Sequence, residues 1–202
     1  MSESPWRKGT IHDEWSNAYM RAEVADFFTP SRRETPARWT VVYRPAAVAV
    51  IPVTPQGRIV MIQQERIPAR SLAWEFPAGQ IDDAEFRELD PDSEKARGLR
   101  ETTVRNELRE EAGYHIGDGG SLVTLGRFYT SPGFSDEVVY LYLAYSVVPH
   151  PDGSDHEESE AITAVGLLTS GDIQTRVADG SLQDSLSLAL FARATAMGLL
   201  PP

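Results

Sequence analysis

The sequence predicts an α/β sandwich with a strand-rich extension at its N-terminus. Three observations lead there. Short apolar runs of strand length lie on both sides of a single mid-chain amphipathic segment, a second helical segment closes the chain, and 202 residues with 41% hydrophobic content can bury one elaborated core. Strands that bracket one helix and end in another favour a sandwich over a doubly wound sheet. The extension is taken as residues 1–44 and the main domain as 45–202.

Residues 15–45 are polar, with strand-like pieces such as Arg38–Tyr43, where β-branched and aromatic residues dominate. Ala46–Ile51 and Arg58–Gln63 are apolar runs joined by the turn Pro55-Gln56-Gly57, and they form a candidate hairpin. Trp74–Gly79 is a strand end running into a Pro/Gly turn, and Gln80–Lys95 has no periodicity and is expected as a surface loop. A helix is expected from about Leu99 to Ala112, with Val104, Leu108 and Ala112 as its inward stripe and Gly113 as its C-terminal cap. Strands over Leu122–Tyr129 and Val138–Val148 flank the loop Thr130–Asp136. An acidic loop, His150–Glu160, then leads to a strand at Ile162–Leu168, a short helix near Ser170–Ala178 and a last helix over Ser185–Met197.

Composition excludes several chemistries. With no cysteine there is no disulfide, thiolate metal site or cysteine nucleophile, and with only 4 histidines a metal would fall mainly to carboxylates. The formal net charge of −11 argues against a nucleic-acid-binding surface, while leaving room for a local anion pocket. The first residues lack the apolar run of a signal peptide, and no stretch has the length of a membrane helix, so a cytoplasmic protein without membrane or nucleic-acid partners is expected.

The most informative segment runs from Arg105 to Gly113. On a helix it sets Glu107, Glu110 and Glu111 on neighbouring positions, where like charges repel unless a cation joins them. Taken alone, such a cluster is more often a solvated face laced with ion pairs. Here it follows Trp74-Glu75-Phe76-Pro77-Ala78-Gly79, and Glu107–Gly113 with Gly79 upstream resembles the box of the Nudix hydrolases in its ADP-ribose pyrophosphatase form. The resemblance extends to Gln63–Arg66, Ser131-Pro132-Gly133 with Glu137, and Asp179–Asp184, so that it covers roughly 38–195. Two positions depart from the family pattern. Asn106 stands where the family has arginine, and Gly98 where it has an earlier glutamate; Arg109 or Arg100 is the candidate substitute for orienting the glutamates.

The resemblance implies a Nudix-type α/β/α sandwich with a mixed sheet. It also implies a Mg²⁺-dependent pyrophosphohydrolase, with Mn²⁺ as a substitute metal, cleaving ADP-ribose or a related nucleoside diphosphate sugar to AMP and ribose 5-phosphate. Glu107 and Glu111 would be metal ligands, Glu110 a ligand or close neighbour, and the Ala78 carbonyl a further donor. The general base would come from the acidic loop, best matched by Glu158, with Glu160 as a metal ligand and Glu157 as an alternate. Arg66 and Arg38 are candidates for the phosphates, or else ordinary surface ion pairs. Tyr19 could stack on the base, or serve the fold or a dimer contact. Ser131 and Gly133 could present backbone groups, with Glu137 positioning water or metal. The resemblance further implies a homodimer built through the N-terminal strands. The competing reading is a Nudix-fold nucleotide-binding module or sensor that has lost hydrolysis; retention of the box glutamates and of Glu158 favours the enzyme.

Overall fold

The computed structural model describes residues 4–83, 85–155 and 161–202. The chain divides into two compact units, one of residues up to Pro45 together with Tyr129–Val138, the other of Ala46–Phe128 and Val139–Pro202. The loop 129–138 thus joins the N-terminal unit, whereas the division made from sequence leaves it in the main domain.

The N-terminal unit is an antiparallel sheet of β1 (Arg7–Ser16), β2 (Arg21–Thr29) and β3 (Arg32–Tyr43), in that order. The Asn17 side chain shapes the first turn by accepting from the N–H groups of Tyr19 at 2.8 Å and Met20 at 2.9 Å, as an asparagine in a tight turn does. Glu23 is 1% exposed, and the Tyr43 hydroxyl, Lys8 and Arg21 all converge on its carboxylate. The loop 129–138 is tied on by Val42 N–H donating to the Phe134 carbonyl at 2.7 Å and Arg44 N–H donating to Asp136 at 3.0 Å.

The second unit contains a mixed sheet ordered β10 (Ile162–Leu168), β5 (Ile59–Arg66), β4 (Ala47–Val53), β9 (Val138–Pro149), β8 (Tyr114–Tyr129), with β6 (Ser71–Glu75) on β5 and β7 (Ala78–Gln80) on β4. β4 runs parallel to β9 and antiparallel to β5, which bears out the predicted hairpin. The helices are α1 (Glu94–Glu110), α2 (Ser170–Ala178) and α3 (Ser185–Ala196). β4 is buried on both faces. Ala49 and Ile51 pack with Ile173 of α2 and Leu190 of α3, while Val48 and Val50 pack with Val104 and Leu108 of α1. The sheet therefore lies between α1 on one side and α2 with α3 on the other, the predicted sandwich.

Two boundaries differ from expectation. α1 begins at Glu94 rather than Leu99, because Ser93 caps it by accepting from Ala96 N–H at 3.2 Å, and the supposed loop before it also holds a 3-10 turn, Phe86–Glu88, whose buried Phe86 packs edge-on to Tyr140. β8 starts at Tyr114 rather than Leu122. Its glycines conceal the strand in the sequence, yet Gly120 is required where a side chain would approach the Tyr145 carbonyl to 2.6 Å. No helix among the described residues is long and apolar enough to cross a membrane.

Candidate active site

The predicted stripe is the buried face of α1: Val104 and Leu108 are fully buried and Ala112 is 4% exposed. With that face against the sheet, Glu107 and the capping residue Glu111 turn toward β7. Glu111, itself 2% exposed, accepts from Ala78 N–H at 2.8 Å. Glu107 lies over Gly79 so closely that a methyl group placed there would fall on its carboxylate. Pro77 offers no N–H, and its carbonyl accepts from Val50 N–H at 3.0 Å, which fixes the turn against β4. The Pro-Ala-Gly turn and the last turn of α1 therefore bring together Ala78, Glu107 and Glu111.

Glu110 takes a different direction. It is paired with Arg109 at 2.6 Å, and Arg109 also reaches Asp155 at 3.9 Å. Arg100 donates to the Tyr142 hydroxyl at 3.1 Å and the Pro91 carbonyl at 2.7 Å, and stacks over Tyr140, so it serves the core beside α1. Of the two arginines considered as substitutes for the one missing at Asn106, Arg109 thus holds Glu110 and Arg100 is committed to that core.

Behind the turn, Arg66 at the end of β5 is gripped by Glu75 of β6: its Nε lies 2.9 and 3.1 Å from the two carboxylate oxygens, and its Nη2 lies 2.5 Å from Oε2. Glu75 holds the Arg66 guanidinium still further above its already high range, and Glu111 and Asp184 add to this. Asp184 caps α3 by accepting from Ser187 N–H at 2.7 Å, and the Ser187 hydroxyl accepts from Phe76 N–H at 2.9 Å, which ties α3 to the strand entering the turn. Sequence reasoning missed Glu75, Asp184 and Ser187. A glutamate in an otherwise apolar strand was the available signal for Glu75. A cavity of about 300 Å³ at the β5–β6 connection is lined by Arg66, Ile67, Arg70 and Leu72, among others.

The remaining candidates lie in the N-terminal unit. Tyr19 is 66% exposed in the β1–β2 turn. Arg38 faces Asp26 at 3.5 Å, and His12 approaches the same carboxylate at 2.9 Å; His12 first, then Arg38, hold Asp26 below the ordinary carboxylate range. The Ser131 carbonyl accepts from Phe134 and Ser135 N–H groups, and the Gly133 carbonyl accepts from Trp39 Nε1 at 2.8 Å. Glu137 accepts from the Thr130 hydroxyl at 2.7 Å and pairs with Arg44 at 3.2 Å. Glu158 and Glu160, with Glu157 and His156, lie outside the described residues.

The two carboxylates at the end of α1, seated on the turn, are oxygen donors of the kind that suits a hard divalent cation, and the Ala78 carbonyl is the further donor that the resemblance implies. No group of three His, Asp or Glu side chains forms a complete metal cluster among the described residues. What is present fits part of such a site, with Glu107, Glu111 and the Ala78 carbonyl as the residues that could hold the ion.

A sheet clasped between helices, with paired glutamates of one helix against a Pro-Ala-Gly turn, defines a Nudix-type domain. The family model described as NUDIX domain matches residues 43–178, and the chain belongs to that family. It is 36% identical over 129 residues to the ADP-ribose pyrophosphatase of Bacillus subtilis, covering 63% of this chain and 61% of that protein. The chain thus spans less than two thirds of the length of that relative. It is 32% identical over 166 residues to the ADP-ribose pyrophosphatase of Mycobacterium tuberculosis, covering 80% of this chain and 72% of the relative. A solved structure titled as an ADP compounds hydrolase shares the fold, with a TM-score of 0.71 at 15% identity over 99% of this chain and 100% of the other.

Proposed function

We propose that the protein is a Mg²⁺-dependent pyrophosphohydrolase of nucleoside diphosphate sugars, with ADP-ribose as the leading substrate, working as a cytoplasmic homodimer. The observation that supports this best is the seating of Glu107 and Glu111 on the Ala78–Gly79 turn. Two relatives named for ADP-ribose hydrolysis point to the substrate.

In the reaction, water adds to one phosphorus of the diphosphate and the bridging P–O bond breaks. The water oxygen stays on the attacked phosphoryl group, and AMP and ribose 5-phosphate leave. Bound Mg²⁺, with Mn²⁺ able to replace it, would offset charge on the phosphoryl oxygens and make the water more acidic. The chain's own residues do the rest. Glu107, Glu111 and the Ala78 carbonyl would hold the ion, with Glu160 as a further ligand, and Glu158 takes the proton from water, while Glu110 stays paired with Arg109 beside them. Arg66 presents its guanidinium to phosphate. Arg38, Tyr19, Ser131, Gly133 and Glu137 remain candidates for binding the rest of the substrate.

The deciding experiment is AMP release from a panel of nucleotide sugars with Mg²⁺, with Mn²⁺ and with chelator. Metal-dependent release that is fastest from ADP-ribose is expected. Saturable nucleotide binding with no release under any condition would instead establish the binding-module reading.

A further inference from the structure

Gln64 is buried in β5 without a use in the fold. It is 6% exposed, its amide oxygen is closed to solvent, and among the described residues no group donates to that oxygen. Alternate residues of a strand share a face, and Val60 and Ile62 pack with Val104 and Leu108 of α1, so Gln64 and then Arg66 continue along the face that α1 covers. Ala73 of β6 stands opposite Gln64 on one side and Ile162 of β10 on the other, and neither side chain can donate. A buried acceptor left without a donor is costly, and methionine or leucine would fill the same space without that cost.

The neighbours of this amide belong to the proposed chemistry. Glu75 of β6, paired with Ile62, lies on the same face and grips Arg66, the candidate for phosphate. On the other side, Glu65 N–H donates to the Ala161 carbonyl at 3.0 Å, where the chain passes from the acidic loop into β10. Gln64 thus stands between the phosphate arginine and the strand that follows the segment assigned the general base. An oxygen closed to bulk solvent admits a donor the size of water sooner than a sugar, and buried polar groups are commonly met by single waters.

We propose that Gln64 is a catalytic residue that orients the attacking water. Water that adds to phosphorus in line must aim a lone pair at it while the base takes one hydrogen. The second hydrogen then needs an acceptor, and the Gln64 amide oxygen supplies one. That hydrogen stays on the water oxygen as the new P–O bond forms and the bridging P–O bond breaks. A glutamine amide holds the attacking water in other phosphoryl-transfer sites. The inference rests on the proposed function, which supplies the hydrolysis and its base.

The test compares wild type with Gln64→Met, which removes the amide at nearly constant volume, in hydrolysis of ADP-ribose with Mg²⁺ and then in the same reaction with methanol added. Methanol carries one hydrogen on oxygen. That proton goes to the base, the oxygen bonds phosphorus and the bridging bond breaks, so methanolysis makes no use of Gln64. Gln64→Met is expected to lower kcat for hydrolysis about 10²-fold with KM little changed. The ratio of the methyl ester of the attacked phosphate to its hydrolysis product should rise about tenfold over wild type, and the unfolding temperature should hold or rise because an unpaired acceptor is gone. Undiminished hydrolysis in the variant would show that the amide holds a structural water only, and overturns the proposal. A raised KM with kcat intact, or a lowered kcat with the product ratio unchanged, overturns it as well. Should Gln64→Met fail to fold, Gln64→Leu is read in the same assays. A wild type that hydrolyses no nucleotide sugar overturns the proposed function and this inference together, whereas an active wild type with an equally active variant overturns this inference alone.

Discussion

Gly79 is the residue on which the site geometry turns. Its lack of a side chain lets the Glu107 carboxylate rest against the backbone, since even a methyl group would occupy that space. Gly79→Ala must push either the helix end or the turn aside. A displacement on the order of 1 Å at a reacting centre costs roughly 10²-fold in rate, so kcat/KM for AMP release is expected to fall by about that factor. Thermal unfolding should change modestly by comparison; undiminished turnover in the alanine variant would show that Glu107 is not held there. Glu111 has a second task, accepting from Ala78 N–H while almost fully buried. Glu111→Gln keeps an acceptor for that N–H, whereas Glu111→Ala leaves it unsatisfied at a cost of about 1–3 kcal/mol. Both substitutions should abolish most activity, and only the alanine should lower the unfolding temperature appreciably, a contrast that calorimetry reads directly.

The elements show which contacts a linear reading can reach. Gly98 sits inside α1, exposed, with nothing within 4 Å of where its side chain would be. Gly98→Ala should therefore stabilise the protein by about 0.5–1 kcal/mol through helix propensity alone, raising the unfolding temperature by a few degrees with kcat unchanged. The N-terminal sheet depends on a charge instead. Burial pushes the Glu23 carboxyl up, but bonds from Tyr43 and Lys8, with the charges of Lys8 and Arg21, outweigh it and leave the carboxyl below its ordinary value. A depressed folded value means that its stabilisation is complete above the ordinary glutamate range near 4.3 and is lost as pH falls through the folded value. Acid titration of tryptophan fluorescence should thus show loosening of this sheet below about pH 4, and Glu23→Gln should remove that step while lowering stability at neutral pH. The stripe of α1 and the β4–β5 hairpin were legible because each rests on a repeat within a few residues. The bond from Phe76 to Ser187 spans 111 positions, and the grip of Glu75 on Arg66 depends on a hairpin register, so neither leaves a periodic trace. In the carboxylate helix the sequence located all three glutamates but not their division, since Glu110 goes to Arg109 while the other two meet the turn.

At the scale of the molecule, the two units expose very different surfaces. The sheet of the second unit covers its apolar residues with helices on both faces, whereas every residue of β1 is exposed. Three of the chain's four tryptophans, Trp6, Trp15 and Trp39, lie in the N-terminal unit at 66%, 56% and 55% exposure, and Tyr19 at 66% and Ile11 at 42% are exposed beside them in sequence. In the proposed homodimer these rings would form the contact, since tryptophan and tyrosine are the residues that most often anchor such surfaces. β1 and its neighbours mix basic and acidic side chains, so a second copy of the same surface is electrostatically acceptable, and self-pairing about a two-fold axis is the commonest solution for soluble chains. Light scattering on the purified protein at micromolar concentration should accordingly give twice the 22.3 kDa of one chain. Ile11→Arg combined with Trp15→Arg should halve that mass, because both side chains are exposed in the single chain and the charges would have to be buried on association. The melting of the second unit, followed through the core around β4, should survive the change. A wild type that remains monomeric across that concentration range would remove the dimer and leave the exposed aromatics to another partner.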